Sequence, residues 1–179
     1  AAAARGLRVM VLDRPNPING VDTAGPVLNP SERSAVNHHP LPVRHGMTMG
    51  ELAELMNADE HLGLRLEVVR MVHYDRRASF SETGLTWSPP SPNLRSAEQA
   101  LIYPGLGLLE GTNVSVGRGT DMPLEVVGAP WIDGTRLVAE LARAGLAGVG
   151  FEPLAFTPEP TPRVNRFAGV PCQGIRVHV

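Results

Sequence analysis

The stretch Leu7-Arg-Val-Met-Val-Leu-Asp13 runs directly into Arg14-Pro15-Asn16-Pro17-Ile18-Asn19-Gly20, and this junction constrains the fold more than any other feature of the chain. A short apolar run after a glycine suits a strand buried on both faces, as in a parallel sheet. Two prolines and an Asn-Gly pair cannot continue such a strand, so it must leave the sheet through a rigid loop. Ligands of open α/β sheets bind at the carboxyl ends of strands. The alternative is a plain strand exit with no ligand.

Downstream, the pattern alternates between the two helical and extended periods. Residues Val21–Gly46 show no clear period and read as irregular. Thr48 and Glu51 form a T-x-x-E capping box ahead of Leu52, Ala53, Leu55 and Met56, which predicts a helix ending near Gly63. Leu64–Val72 begins with alternation and reads as a strand, and Thr83–Asn93, with Gly84 and three prolines, as loop. Ser96–Gln99 opens a short second helix towards Ile102, and Leu106–Glu110 is short and apolar enough for a strand. Asp133 caps a third helix carrying Leu137, Val138, Leu141 and Ala144, with its end at Gly145 or Gly148. Phe151–Arg166 reads as a Pro-rich connection, and Gly174–Val179 as a strand with Ile175, Val177 and Val179 on one face. The fold class is mixed α/β.

Composition removes several function classes. The chain has 179 residues, of which 19 are glycine and 17 proline, above the usual share of about 12%. Shaped loops are therefore expected. Only eight residues are aromatic, too few for a platform that stacks single-stranded nucleic acid. The net charge of −2 argues against a phosphate-backbone binder. All sixteen basic residues are arginine, which excludes a Schiff-base or Walker-type lysine within these residues. Cys172 is the only cysteine, so no internal disulfide forms, and it reads as inert packing. No stretch reaches the ~18 apolar residues of a membrane span. Ala1–Leu7 reads as a helix tail entering a strand, and the final strand runs to the last residue, so the chain is expected to be cut from a longer protein.

Candidate chemistry concentrates in two loops. In Glu110-Gly-Thr-Asn-Val-Ser-Val-Gly-Arg-Gly-Thr120, three glycines allow close backbone approach, Asn113, Ser115, Arg118 and Thr120 supply donors, and Glu110 supplies a carboxylate. It is neither a P-loop nor a dinucleotide fingerprint. A binding loop and a structural turn both fit. Arg14 and Asn16 sit in the proline-locked loop, where an arginine serves as a ligand clamp or as one end of a salt bridge. His45, between Arg44 and Gly46, is placed for a polar ligand contact or for a structural one. The six histidines show no H-x-x-x-H or H-E-x-x-H spacing, so no metal and no cofactor are expected. Glycoside hydrolysis needs two carboxylates; Glu110 is the one carboxylate set in a ligand-like loop.

The segments VLDRPNPING (11–20), LPVRHGMTMGELAELMN (41–57), SPN (91–93), YPGLGLLEGTNVSVGRGTDMPLEVVGAPW (103–131) and CQGIRVHV (172–179) resemble the NamZ-type exo-β-N-acetylmuramidases, bacterial peptidoglycan-recycling glycosidases. The resemblance implies a Rossmann-like catalytic subdomain joined to a smaller C-terminal α/β subdomain, with the active site in the cleft between them. It assigns residues 1–20 to the last strand and loop of the first, and 21–179 to the second, truncated at its end. The family's proposed catalytic glutamate lies in a Pro-Glu-His-Gly segment that is not found here. The resemblance further implies release of N-acetylmuramic acid from the non-reducing end of peptidoglycan fragments, no cofactor, and a periplasmic or extracellular location. Glu110 is then an auxiliary catalytic carboxylate, and Arg14, Asn16, His45, Asn93, Asn113, Arg118 and Thr120 contact the sugar. Arginine suits the lactyl carboxylate of that sugar, and the asparagines suit its hydroxyl and acetamido groups. One departure is Val116, where the family reads Ser-Glu-Gly-Arg-Gly-Thr. The partners implied are muramic-acid glycans, with no nucleic acid and no membrane span; the oligomeric state is not legible. Two other readings stand beside this one: a non-catalytic carbohydrate-binding or scaffold module with the same loops, and a nucleotide- or phosphate-binding domain, which the missing lysine and glycine fingerprint oppose.

Overall fold

The structure is a computed structural model that describes residues 1–161 and 166–179. The chain divides into two compact units, residues 1–86 and 87–179. Residues 1–20 pack within the first of these.

In the first unit, β1 (Arg8–Leu12) pairs in parallel with β4 (Arg65–Val69), from Arg8 opposite Arg65 to Leu12 opposite Val69. The connection carries α1 (Met49–Asp59), which packs on both strands. A parallel pair needs such a crossover. The capping box forms as the sequence predicts: the Thr48 side chain accepts from the Glu51 amide, and Glu51 from the Thr48 amide. The helix stops at Asp59, earlier than Gly63, because the chain turns left-handed already at His61 (φ 49°).

Two expectations need correction here. β1 is not buried on both faces: Met10 is 52% and Leu12 71% exposed, since among the described residues β4 is its one partner strand and α1 is the helix that packs on it. The stretch Val21–Gly46 is not wholly irregular. It holds an antiparallel pair, β2 (Ala24–Val27) and β3 (Pro42–Arg44), with a shifted register between Ala24 and Val27. β2 contains Pro26 and is exposed throughout, so no alternation of burial marks it in the sequence.

The second unit is built on a three-stranded antiparallel sheet in the order β5 (Val126–Ala129), β7 (Cys172–His178), β6 (Gly150–Phe156). α3 (Gly134–Arg143), capped by Asp133 as expected, packs on β6 and β7. Ile102, Val116, Leu124, Val127, Ile175 and Val177 form the core, with Leu137, Val138 and Leu141 of α3 against it. Cys172 is buried, and burial pushes its thiol above the ordinary value.

The expected Pro-rich connection 151–166 is β6 over its first six residues; positions 162–165 lie outside the described residues. Pro153 is tolerated because β6 is an edge strand, where a missing N–H costs no ladder bond. The expected strand at Leu106–Glu110 is instead a 3-10 turn, Gly107–Gly111. It continues α2 (Ala97–Leu106), which runs past Ile102 and through Pro104. Leu106 and Leu109, one 3-10 turn apart, both pack on the core. Among the described residues no helix is long and apolar enough to cross a membrane.

α3 sits so close to the sheet that two glycines meet across the contact. A Cβ on Gly134 would lie 2.1 Å from the Gly174 carbonyl oxygen, and one on Gly174 would lie 1.9 Å from that of Val127. Both obstacles are backbone and cannot rotate away. Gly174→Ala is therefore expected to cost about 1–3 kcal/mol or more through overpacking. Gly105→Ala, where a Cβ meets nothing within 4 Å, should cost none of that. Chemical denaturation of both variants measures the contrast.

Candidate functional site

In residues 1–86 the exit loop of β1 is held from both ends. The Asp13 carboxylate accepts from the Gly50 amide (2.8 Å) and from the Thr48 hydroxyl (2.8 Å), so it sits on the N-terminus of α1. A carboxylate there satisfies free N–H groups and opposes the helix dipole. Asn16 donates to the Met47 carbonyl (2.9 Å) and accepts from the Ile18 amide (3.1 Å). Arg76 donates to the Gly20 carbonyl (2.8 Å), the Gly46 carbonyl (3.2 Å) and Glu51 (3.3 Å), tying three segments together. Asp13 and Arg76 carry no local sign of this anchoring, since their partners lie 25 to 56 positions away.

Arg14 is left projecting. It is exposed, and among the described residues its guanidinium has no partner. It lines a cavity of about 440 Å³ with Pro15, His73, Tyr74, Asp75 and Glu82. Burial raises the Tyr74 phenol above its ordinary value. Asn16 and His45 do not line that cavity. The amide of Asn16 is used to shape the loop. His45 accepts from the Met47 amide through Nδ1 (3.2 Å), and burial lowers its pKa below the ordinary imidazole value.

In residues 87–179 the segment after the 3-10 turn wraps into the core and out again. Ser115 bridges to Gly128, and the Leu124 amide donates to the Val116 carbonyl (2.8 Å). Val116 is 5% exposed and belongs to the core, so it faces neither solvent nor Arg118. Gly117 follows at φ 78°, and a Cβ there would lie 2.5 Å from Val126 and 2.6 Å from the Met122 carbonyl. Gly119 has φ 85°. Arg118 thus rides on a backbone turn with little freedom of its own. Its Nε and Nη2 both lie 2.5 Å from Glu110 Oε1. Thr120 closes the turn, its hydroxyl donating to the Gly117 carbonyl (2.6 Å) and accepting from the Met122 amide (3.1 Å).

A cavity of about 850 Å³ opens beside this turn, lined by Asn93, Arg118, Thr120, Arg95, Asp121 and Glu159 among others. Three of the predicted residues therefore meet there: Asn93, Arg118 and Thr120. Glu110 stands behind Arg118 without lining the cavity, and Asn113 is exposed away from its lining. Arg95 was not singled out from the sequence; its place two residues after Asn93 is the one available sign. It donates through Nε to the Pro92 carbonyl (3.2 Å) and through Nη1 to that of Asp121 (3.4 Å). Its backbone amide donates to Gln99 (2.5 Å), which donates in turn to the buried Glu125 (2.8 Å), itself paired with Arg176 (3.3 Å). This chain fixes the cavity wall to the core. Among the described residues no three His, Cys, Asp or Glu side chains are grouped to hold a metal.

Residues 1–98 match the family model described as exo-beta-N-acetylmuramidase NamZ, N-terminal, and residues 101–179 match its C-terminal counterpart. The whole chain is 43% identical to the peptidoglycan beta-N-acetylmuramidase NamZ of Bacillus subtilis (strain 168), over 42% of that protein's length. Two crystal structures of DUF1343 family proteins from Bacteroides fragilis NCTC 9343 superpose with TM-scores of 0.89 and 0.75, at 33% and 31% identity. They match 99% and 98% of this chain, and 46% and 45% of their own. The chain thus spans less than half the length of these relatives.

The pH dependence of His45 follows from its surroundings. Its folded pKa is depressed, so its contribution to stability is present above the unfolded value of about 6.5 and is lost as pH falls through the lower folded value. Thermal melts between about pH 7 and 5 should show His45→Gln losing less stability than the parent. Parallel curves for the two would remove His45 as the cause.

Proposed function

This chain belongs to the NamZ exo-β-N-acetylmuramidase family, and on that premise we propose that it forms part of a glycoside hydrolase. Its substrate is the glycosidic bond of non-reducing terminal N-acetylmuramic acid in peptidoglycan fragments. The observation that carries this reading is Arg118, set on a glycine-flanked turn at the wall of the 850 Å³ cavity, with Asn93 and Arg95 on the same wall.

N-acetylmuramic acid differs from its neutral counterpart, N-acetylglucosamine, by a lactyl ether that carries a carboxylate. A guanidinium offers that group paired, charge-assisted hydrogen bonds. In this reading Arg118 takes the carboxylate, and Asn93 the hydroxyl or acetamido groups. Arg14, whose guanidinium is unpaired among the described residues, is a second candidate for substrate contact, as is the exposed Asn113. Asn16, His45 and Thr120 support the loops that carry these groups, through the bonds each makes to neighbouring backbone. Glu110 enters as the acidic partner of Arg118 rather than as an acid or base in its own right.

The parallel β1–α1–β4 unit is the repeating element of doubly wound folds and supports a Rossmann-like affiliation for β1 and its exit loop, residues 1–20. A peptidoglycan substrate supports a periplasmic or extracellular location.

The test is kinetic. In the full-length protein Arg118→Ala should lower kcat/KM on a chromogenic N-acetylmuramoside by about 10- to 100-fold, the loss of one charge-assisted contact. Unchanged kcat/KM would take Arg118 out of the substrate site.

A further inference from the structure

The pairing of Arg118 with Glu110 raises the question of how a second carboxylate gains the same guanidinium. Both side chains are about one-third exposed, at 32% and 34%. Exposed pairs of this kind hold weakly, because water competes and two side chains lose rotamer freedom. The two partners are also held unequally. Arg118 sits between glycines at φ 78° and 85°, the first blocked against any Cβ by Val126 and Met122. Glu110 sits on the 3-10 turn Gly107–Gly111 and is itself exposed. The acid can swing out into water without moving backbone, while the arginine stays at the cavity wall.

The charges around the cavity sharpen the point. Among the described residues, Arg95 and Arg118 are its basic lining residues, and Asp121 and Glu159 its acidic ones. Counting Glu110 behind Arg118, the set carries no excess of positive charge. The described residues of this set therefore supply no diffuse attraction for an anion. Binding depends on exchange at one guanidinium.

We propose that Glu110 is a specificity-determining residue: it occupies Arg118 when no ligand is present, and the carboxylate of an acidic sugar displaces it. This rests on the reading above, that Arg118 meets the lactyl carboxylate. Glu110 thereby acts as an internal competitor. It holds down affinity for acidic ligands, and leaves a neutral sugar, which has no claim on the guanidinium, unaffected. An exposed pair worth up to about 1 kcal/mol corresponds to roughly a fivefold effect on affinity.

The experiment is calorimetric binding of free N-acetylmuramic acid and of N-acetylglucosamine to the full-length protein and its variants. Glu110→Gln, which keeps size and shape, should tighten N-acetylmuramic acid about two- to fivefold and leave N-acetylglucosamine unchanged. Glu110→Asp, one methylene too short to keep the contact, should shift affinity the same way. If Glu110→Gln leaves N-acetylmuramic acid binding unchanged or weakens it, while Arg118→Ala also weakens it, competition is wrong and the sugar reading stands. If Arg118→Ala has no effect on N-acetylmuramic acid, both fall. If Glu110→Gln tightens both sugars equally, the effect is not exchange at the guanidinium and the proposal is overturned.

Discussion

The Asp13 carboxylate is the contact on which the first unit turns. It ends β1, accepts from the Gly50 amide and the Thr48 hydroxyl, and so couples a strand end to a helix start 35 or more positions away. The two requirements reinforce each other. The helix needs an acceptor for its first amides, and the loop needs a fixed departure point so that Pro15 and Pro17 can project Arg14 outward. Arg76 completes the arrangement by holding Gly20, Gly46 and Glu51 from the other side. In the second unit the comparable constraint is steric. α3 can approach β7 so closely because Gly134 presents no side chain to the Gly174 backbone, while Gly174 itself lets β5 and β7 pack, and Leu137, Val138 and Leu141 meet the core from that position.

Both units treat polar loop residues in the same way. Most are consumed in holding the backbone, and a few are left over. Asn16 and Thr120 spend their side chains on carbonyls and amides within their own loops. Among the described residues Arg14 and Asn113 are left over, and Arg118 is held by a contact of modest strength. A site assembled this way commits its entropy cost to the scaffold before a ligand arrives. Its specificity then rests with the few groups still able to change partners.

The elements that were legible in the sequence are those whose signals are local. Thr48 with Glu51, and Asp133, announce helix starts because a cap and its amide lie within three residues. Elements defined by their neighbours were not legible. β5, four residues and wholly buried, carries no alternation to read. Pro153 argues against a strand unless that strand is known to lie at an edge, which only the sheet reveals. The turn at Gly107–Gly111 looked extended because a short apolar run has no period of its own. The candidate site follows the same division. Arg118 between two glycines could be picked out, while Arg95 acquires its place through Gln99 and Glu125, and Asn16 and Thr120 are revealed as loop supports only once their backbone partners are known.

The position of Pro153 has a consequence for the solution behaviour of the second unit. An outer strand normally offers a row of free amides to any passing extended chain, which is how orderly sheets grow into fibrous ones. Here that row is interrupted at its middle residue, and Glu152 beside it is exposed. The flank of β6 is thus a poor template for a stranger. The same proline that obscured the strand in the sequence guards it against self-stacking.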